Sequence, residues 1–455
     1  MASAVGEQTN GCHFHVVVLP YPGRGHINPM MNLCKSIASR SNDILITVVL
    51  TEEWLGFIGS DSKPANIRFA TIPNVLPSEL VRGADVMGFI EATQTKMKEP
   101  IERLLDQLET PVNLILADII LLWPVKVGNQ RNIPVALLWP MSASVFSIYY
   151  HFSLDQNLHL TIESAGSRDE CVDFIPGISS IRIADLPSNL HQTRNGGIVS
   201  LVSKARYLLF PSVYELESQA IDALKPKIPI PVFSFGPAVP YSKLKDTSNG
   251  PDYMKWLDSQ PTSSVLYISL GSFLSVSSAQ MDEIAAGLHL SGVRYLWVAR
   301  GEASRLKEGC GGSGMVVPFC DQLRVLLHSS VGGFWTHCGW NSTMESVFAG
   351  VPLLTFPICI DQSTNSKLIV EDWKIGWKMN REVGMEHLVK REEIALVVQS
   401  FMDLQSLDRR EMVRRAAELQ RICQQAIVKG GSSETNLDNF VKEISQRLDT
   451  LACSE

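Results

Sequence analysis

The sequence predicts an α/β protein of two Rossmann-like, parallel-sheet domains facing each other across a cleft. Three observations predict it. The chain has 455 residues, more than one hydrophobic core ordinarily serves. Short apolar runs of strand length alternate with longer stretches of helical pattern, and such alternation builds parallel sheets covered on both faces. The alternation occurs twice, and GPAVPYSKLKDTSNGPD (Gly236–Asp252) lies between the two series, rich in Pro, Gly, Ser and Lys as linkers are. The expected division is 1–240, a linker at 241–252, and 253–455.

In the first series FHVVVLP (Phe14–Pro20) is a buried strand, PGRGHINP a Gly/Pro-rich turn and MMNLCKSIASR a helix. ILITVVL (Ile44–Leu50), NIRFATI (Asn66–Ile72), VNLILAD (Val112–Asp118) and IPVALLW (Ile133–Trp139) continue the strands. The polar stretch Leu154–Ser188 reads as loop with short helices. Trp54–Ser62, the region after Val81 and Ser142–Phe152 are expected to be loops that wall a pocket. The second series holds SSVLYISLGS (Ser263–Ser272), a helix over Ser278–Ser291, RYLWVAR (Arg294–Arg300), GGFWTH (Gly332–His337) and VPLLTFP (Val351–Pro357). Long helical segments, REEIALVVQSFMD and REMVRRAAELQRICQQAIV, follow. In such sheets ligands bind at the carboxyl ends of the strands.

Bulk properties exclude several function classes. Hydrophobic residues make up 45% and charged residues 19%, as in soluble globular proteins. The net charge is −7, with no long basic run, which argues against a nucleic-acid partner. The N-terminus has no basic segment before its short apolar run, unlike a signal peptide, and no apolar run reaches the ~18 residues of a membrane span. Nine cysteines without a CxxC pair suit reduced thiols and a cytoplasmic protein.

Several residues then stand out. Gly23-Arg24-Gly25-His26 opens like a dinucleotide fingerprint, but the third glycine is missing and Pro29 stands near its place. His26 is either a solvated loop histidine or a base, since imidazole takes protons near neutral pH. Asp118 closes an apolar strand; it is either a strand-end cap or a carboxylate that faces His26 and fixes its tautomer. His13 and His15 lack further ligands for a metal and read as structural. HCGWNSTMES, from His337, also has two readings. Ser342 and Glu345 fit a capping box on a helix over Ser342–Ala349. Alternatively, the helix end holds phosphate with its free N–H groups and dipole.

The uninterrupted run FCDQLRVLLHSSVGGFWTHCGWNSTMESVFAGVPLLTFPICIDQ (Phe319–Gln362) resembles the signature box of plant secondary-product UDP-glycosyltransferases. GHINP, Asp118 and SLGS extend the resemblance over most of the chain. It implies the GT-B fold, in which the last helix crosses back onto the N-terminal, acceptor-binding domain, while the C-terminal domain binds the UDP-sugar. It also implies roles. His26 resembles the catalytic base and Asp118 its partner. Phe319 stands where the family has a tryptophan stacked on uracil. Cys320, through its backbone, and Gln322 match uridine contacts, and Glu345 the acceptor of the ribose hydroxyls. Ser272, His337, Asn341 and Ser342 match the diphosphate contacts. Trp340, Asp361 and Gln362 match the residues that hold the sugar.

The resemblance therefore implies an inverting transfer of glucose from UDP-glucose to a hydroxyl of a small lipophilic acceptor, such as a flavonoid or other phenol, a terpenoid or a hormone. The enzyme is expected to be a monomer that needs no cofactor and no metal, with no nucleic-acid partner. The rival is a non-catalytic binder that keeps the fold. Loss of His26 or Asp118 would favour it, and both are present. A nicotinamide oxidoreductase using the Gly23 turn leaves Phe319–Gln362 unexplained.

Overall fold

A computed structural model describes residues 14–59, 62–79, 83, 85–190, 197–240, 251–271, 276–307, 313–379 and 388–452. Residues 241–250 of the expected linker and Ser272 lie outside the described residues. In chain order the strands are β1 Phe14–Leu19, β2 Ile44–Thr51, β3 Ile67–Ile72, β4 Leu114–Asp118, β5 Val135–Leu138, β6 Cys171–Val172, β7 Ile181–Arg182, β8 Tyr207–Phe210, β9 Val232–Ser234, β10 Val265–Ser269, β11 Arg294–Val298, β12 Gly314–Val317, β13 Val331–Thr336, β14 Leu353–Thr355 and β15 Gly376–Lys378.

Two parallel sheets result. The first runs β3-β2-β1-β4-β5-β8-β9 and the second β12-β11-β10-β13-β14-β15; β6 and β7 form a separate antiparallel pair. The chain folds as the two-domain GT-B architecture, with a Rossmann-like parallel sheet in each half. Strand interiors such as VVVL and LILA are apolar on both faces because helices cover both sides. In each sheet the strand order reverses beside the first strand of its half, between β1 and β4 and between β10 and β13. A crevice opens at the carboxyl ends of strands at such a switch point.

Short strands escaped the sequence reading: β8, β9, β12 and β15 have three or four residues each, too few to show a period. Two other expectations are corrected. The supposed turn PGRGHINP is already helical, because the helix Arg24–Ala38 starts directly after Gly23. Ser142–Phe152 is not a loop but the buried helix Ala143–Leu154, capped by Ser142 Oγ, which accepts from Val145 N at 3.2 Å. Every residue from Ala143 to Ser153 is buried, its serines and His151 included, so no exposed polar face marks a helical period.

The C-terminal helix Ser432–Ala452 packs on the first sheet. Phe440 meets Tyr207 and Phe233 edge-on, at 5.5 and 5.4 Å, and Leu437, Val441 and Ile444 are buried beside it. Burying each such side chain is worth roughly 1.5–3 kcal/mol, which fastens the end of the chain to the opposite half. No helix among the described residues is long and apolar enough to cross a membrane.

Candidate active site

The first crevice holds His26 and Asp118. β1 leads into the Arg24–Ala38 helix, so His26 stands in that helix's first turn. Asp118 is the last residue of the neighbouring strand β4 and is fully buried. His26 Nδ1 lies 2.8 Å from Asp118 Oδ2. The other carboxylate oxygen accepts from Ile120 N at 3.0 Å, so the carboxylate cannot turn. A carboxylate only accepts, so the proton sits on Nδ1 and Nε2 keeps its lone pair. The imidazole is 27% exposed, and Tyr21 packs against it at 4.8 Å. It can therefore exchange a proton while its plane stays fixed.

Pro29 now has a physical role. Lying inside the helix, it has no N–H for the carbonyl four residues back, that of Gly25. That carbonyl instead accepts from Asn341 Nδ2, at 2.7 Å, from the other half of the protein. The base-bearing turn is thus tied across the cleft.

The second crevice holds a helix end. β13 leads through His337-Cys338-Gly339 into the helix Trp340–Ala349. The capping-box reading is overturned here. The N-cap is Gly339, with no side-chain cap, and the helix begins two residues before Ser342. Ser342 and Glu345 are turned sideways instead. Gln322 Nε2 donates to Ser342 Oγ at 2.9 Å and to Glu345 Oε2 at 2.6 Å, and Gln322 Oε1 accepts from Tyr267 OH at 3.1 Å. The first N–H groups of the helix have no partner within it, so its positive end faces the crevice uncapped.

His337 is wedged between two glycines. A Cβ on Gly271 (φ +98°) would stand 3.0 Å from the imidazole, and one on Gly339 2.5 Å from Nε2. Burial pushes His337 down to about 4, against the pull of the Ser269 backbone, so it is neutral at neutral pH, and its buried Nδ1 has no hydrogen-bond partner. Burial also lifts Glu345 to about 7, against the pull of the Gln322 hydrogen bond, and Asp361 to about 6, against that of Asn365. Both carboxyls are primed to gain from hydroxyl donors.

The remaining residues fall into two groups. Phe319 is 57% exposed at the mouth, with the Arg24 guanidinium 5.5 Å from its ring centroid. Asp361 and Gln362 are buried at the start of the helix Gln362–Lys367. Gln362 Oε1 is already used, accepting from Ile358 N at 2.8 Å and Cys359 N at 3.1 Å; its NH₂ donates to Cys359 Sγ at 3.7 Å and has one hydrogen left for a ligand. Two side chains do not face the crevice. Cys320 is buried with Sγ 3.3 Å from Tyr267 OH, and burial lifts the thiol to about 12. The Trp340 indole is buried in the core among Met344, Val347 and Trp373. With the ring turned into the core, the group of Trp340 that can serve a ligand is its backbone N–H, at the helix start.

The family described as UDP-glucoronosyl and UDP-glucosyl transferase matches residues 172–396. UDP-glycosyltransferase 87A1 of Arabidopsis thaliana is 51% identical over 438 residues, covering 94% of this chain and all of its own. The chain belongs to the UDP-glycosyltransferases. Medicago truncatula UGT71G1, complexed with UDP-glucose, superposes with a TM-score of 0.80 at 25% identity, covering 95% of this chain and 98% of that one. Phytolacca americana UGT2, complexed with UDP-2-fluoro-glucose and pterostilbene, gives 0.79 at 26%, covering 95% and 100%. The glycosyltransferase thus has a helix-end crevice and a histidine–carboxylate crevice, tied together by the Asn341–Gly25 hydrogen bond.

The sequence reading missed Asn365, Ser142, Ser188 and Arg24. Asn365 is one helical turn from Asp361, an i,i+4 spacing that could have flagged it. The other three act across the cleft, and no local pattern marks them.

Proposed function

We propose that this glycosyltransferase moves glucose from UDP-glucose to a hydroxyl of a small lipophilic acceptor, a flavonoid or other phenol first, with terpenoids and hormones in the same class. The observation that carries the reading is the His26–Asp118 pair at 2.8 Å, its free Nε2 in the cleft that the uncapped helix end also faces. His26 Nε2 removes the acceptor's hydroxyl proton as that oxygen bonds to the anomeric carbon. The bond from that carbon to the phosphate oxygen breaks, and UDP leaves with the electron pair. Asp118 stabilises the imidazolium that forms. Attack opposite the leaving group inverts an α-linked donor to a β-glucoside.

The leaving group is held at the second crevice. The helix end receives the diphosphate with backbone N–H groups, joined by Asn341, Ser342 and His337 and by Ser272, three residues after the last residue of β10 in sequence; such groups stabilise developing charge without a metal. Uracil stacks on Phe319, with the Cys320 backbone and Gln322 beside it. Glu345 accepts the ribose hydroxyls. Asp361 accepts from the sugar hydroxyls, while Gln362 and the Trp340 backbone N–H donate. The described cysteines are free, which supports a reducing, cytoplasmic setting; the enzyme acts as a monomer.

The test is UDP release and product analysis with UDP-glucose and a panel of phenols and terpenoid alcohols, with UDP-galactose as a second donor. A β-glucoside with stoichiometric UDP is expected. An α-linked product, preference for UDP-galactose, or UDP binding without turnover on any acceptor would each overturn part of the reading.

A further inference from the structure

We infer that Asn365 is a positioning residue: it aims the Asp361 carboxylate at the donor sugar and registers that carboxylate against the acceptor-side helix Ala143–Leu154. The inference rests on the reading of Asp361 as an acceptor of sugar hydroxyls. Asn365 is fully buried, one turn into the helix that follows Asp361. Its amide touches three separate segments. Nδ2 donates to Asp361 Oδ2 at 2.7 Å and to the Cys338 carbonyl at 3.0 Å. Oδ1 accepts from Ser142 Oγ, in the first half of the protein, at 3.2 Å.

Each of those contacts is itself fixed. Ser142 opens the Ala143–Leu154 helix, whose first N–H groups are held by the buried Glu217 carboxylate. It accepts from Ala143 N at 3.0 Å, Ser144 N at 2.9 Å and Ser144 Oγ at 2.8 Å. Ser142 therefore brings the position of the whole helix to the amide. On the other side, the two loops that frame the sugar each contain a non-glycine residue in the left-handed region, Cys338 at φ +66° and Ile360 at φ +57°. Such residues, a β-branched isoleucine above all, persist only where the surroundings hold them. Ser188 holds Ile360, accepting from its N–H through Oγ at 2.8 Å and donating to its carbonyl at 3.0 Å. Asn365 holds Cys338. The sugar carboxylate thus lies between two strained loops pinned by groups that cross or reach the cleft.

The same geometry sets a charge state. Asp361 is faced by His26 from the Arg24–Ala38 helix, by Tyr149 from the Ala143–Leu154 helix, and by Cys338 and Cys359 from its own half. Burial lifts Asp361 to about 6, and the Asn365 hydrogen bond opposes the lift. Without that donor the carboxyl moves further up and is protonated at neutral pH, where it can no longer accept from two hydroxyls. The loss is greatest at low pH and shrinks as pH rises.

Asn365→Asp keeps the shape and the acceptor for Ser142 but removes the donor, and Asn365→Ala does so without a second carboxyl. The measurements are kcat/KM for UDP-glucose at a fixed phenol from pH 6 to 9, UDP affinity by calorimetry, and melting temperature. A hydrogen bond to a charged group accounts for about a 10–100-fold change, so kcat/KM should fall by about that much at pH 7, with parental UDP affinity and an acid limb displaced upward. A parental limb, or a loss equal at every pH and matched by weaker UDP binding, overturns the inference and leaves Asn365 a packing residue. Should neither variant fold, Ser142→Ala, which leaves Asn365 in place, must still displace the limb upward by a smaller amount; a parental limb there overturns the inference too. Asp361→Asn separates the two readings. If it transfers glucose at the parental kcat/KM, the sugar role of Asp361 falls, and this inference falls with it.

Discussion

The two halves of this glycosyltransferase share one topology and use it for opposite purposes. In each, the strand order reverses beside the first strand, and the functional groups stand at the crevice this creates. In the first half the crevice holds two side chains from positions far apart in sequence, His26 and Asp118, one of them partly open to solvent. In the second half it holds a helix end set in a closed lattice. Gln322 links Tyr267, Ser342 and Glu345, and Gln362 folds back on its own loop. The difference fits the tasks proposed for them. A base must exchange its proton, so it needs access and one fixed partner. A site for a charged leaving group works by being organised before the ligand arrives, so its donors are locked in advance.

The largest effect should come from breaking the first half alone. His26→Ala removes the proposed base and none of the groups proposed to hold UDP. General base catalysis is typically worth about 10²–10⁴-fold, so transfer to a phenol at neutral pH should fall by that factor while calorimetry returns the parental UDP affinity. A variant that transfers at the parental rate would remove His26 from the chemistry. An acidic acceptor should lose much less, because it needs little help in giving up its proton.

A smaller effect separates the halves by pH. Glu345 is lifted to about 7 by burial, from an ordinary value of 4.5. In the free enzyme this group favours folding fully below about pH 4.5, and its contribution is lost as pH rises through about 7. UDP binding should run the other way if, as proposed, the ribose hydroxyls donate to an ionised Glu345. One linked proton then makes UDP bind about tenfold more tightly at pH 8 than at pH 6, while the melting temperature of the free enzyme falls over the same range. Glu345→Gln should flatten the pH dependence of UDP affinity. If it does not, Glu345 is not the ribose acceptor.

How much of this was legible in the sequence also divides between the halves. The second crevice lies in one run, Phe319–Gln362, and the long strands β1, β2, β4 and β10 were visible as apolar runs. What escaped detection depends on partners distant in sequence. Ser342 and Glu345 look like a capping box, but Gln322, from twenty residues away, takes both side chains. That the Trp340 ring packs into the core and leaves its backbone N–H at the helix start depends on Trp373 and other core residues outside its own stretch. Helix Ala143–Leu154 is buried all round, its serines and His151 included, so no exposed polar face marks its period. Pro29 could be seen to spoil a dinucleotide fingerprint. That it frees the Gly25 carbonyl for Asn341 could not be seen until the two halves met.

The smallest effect sharpens the comparison at the point where the halves touch. Phe319 belongs to the second crevice, and Arg24, from the first, lies 5.5 Å over its ring. Phe319→Trp enlarges the face available to uracil. Base–aromatic stacking is worth about 1–3 kcal/mol in all, and phenylalanine already supplies most of it, so the gain in UDP affinity should be only a few-fold. An indole also holds a guanidinium better than a phenyl ring does, so Arg24 will compete harder for it. That competition can be removed. In an Arg24→Gln background the tryptophan should bring the larger gain, and in the parental background the smaller one. Calorimetry with UDP on the four proteins measures both. Equal gains in the two backgrounds would mean that Arg24 and uracil do not contend for the ring. Weaker binding in both, with unchanged melting temperature, would mean that the mouth of the second crevice is shaped around phenylalanine and has no room for the larger ring.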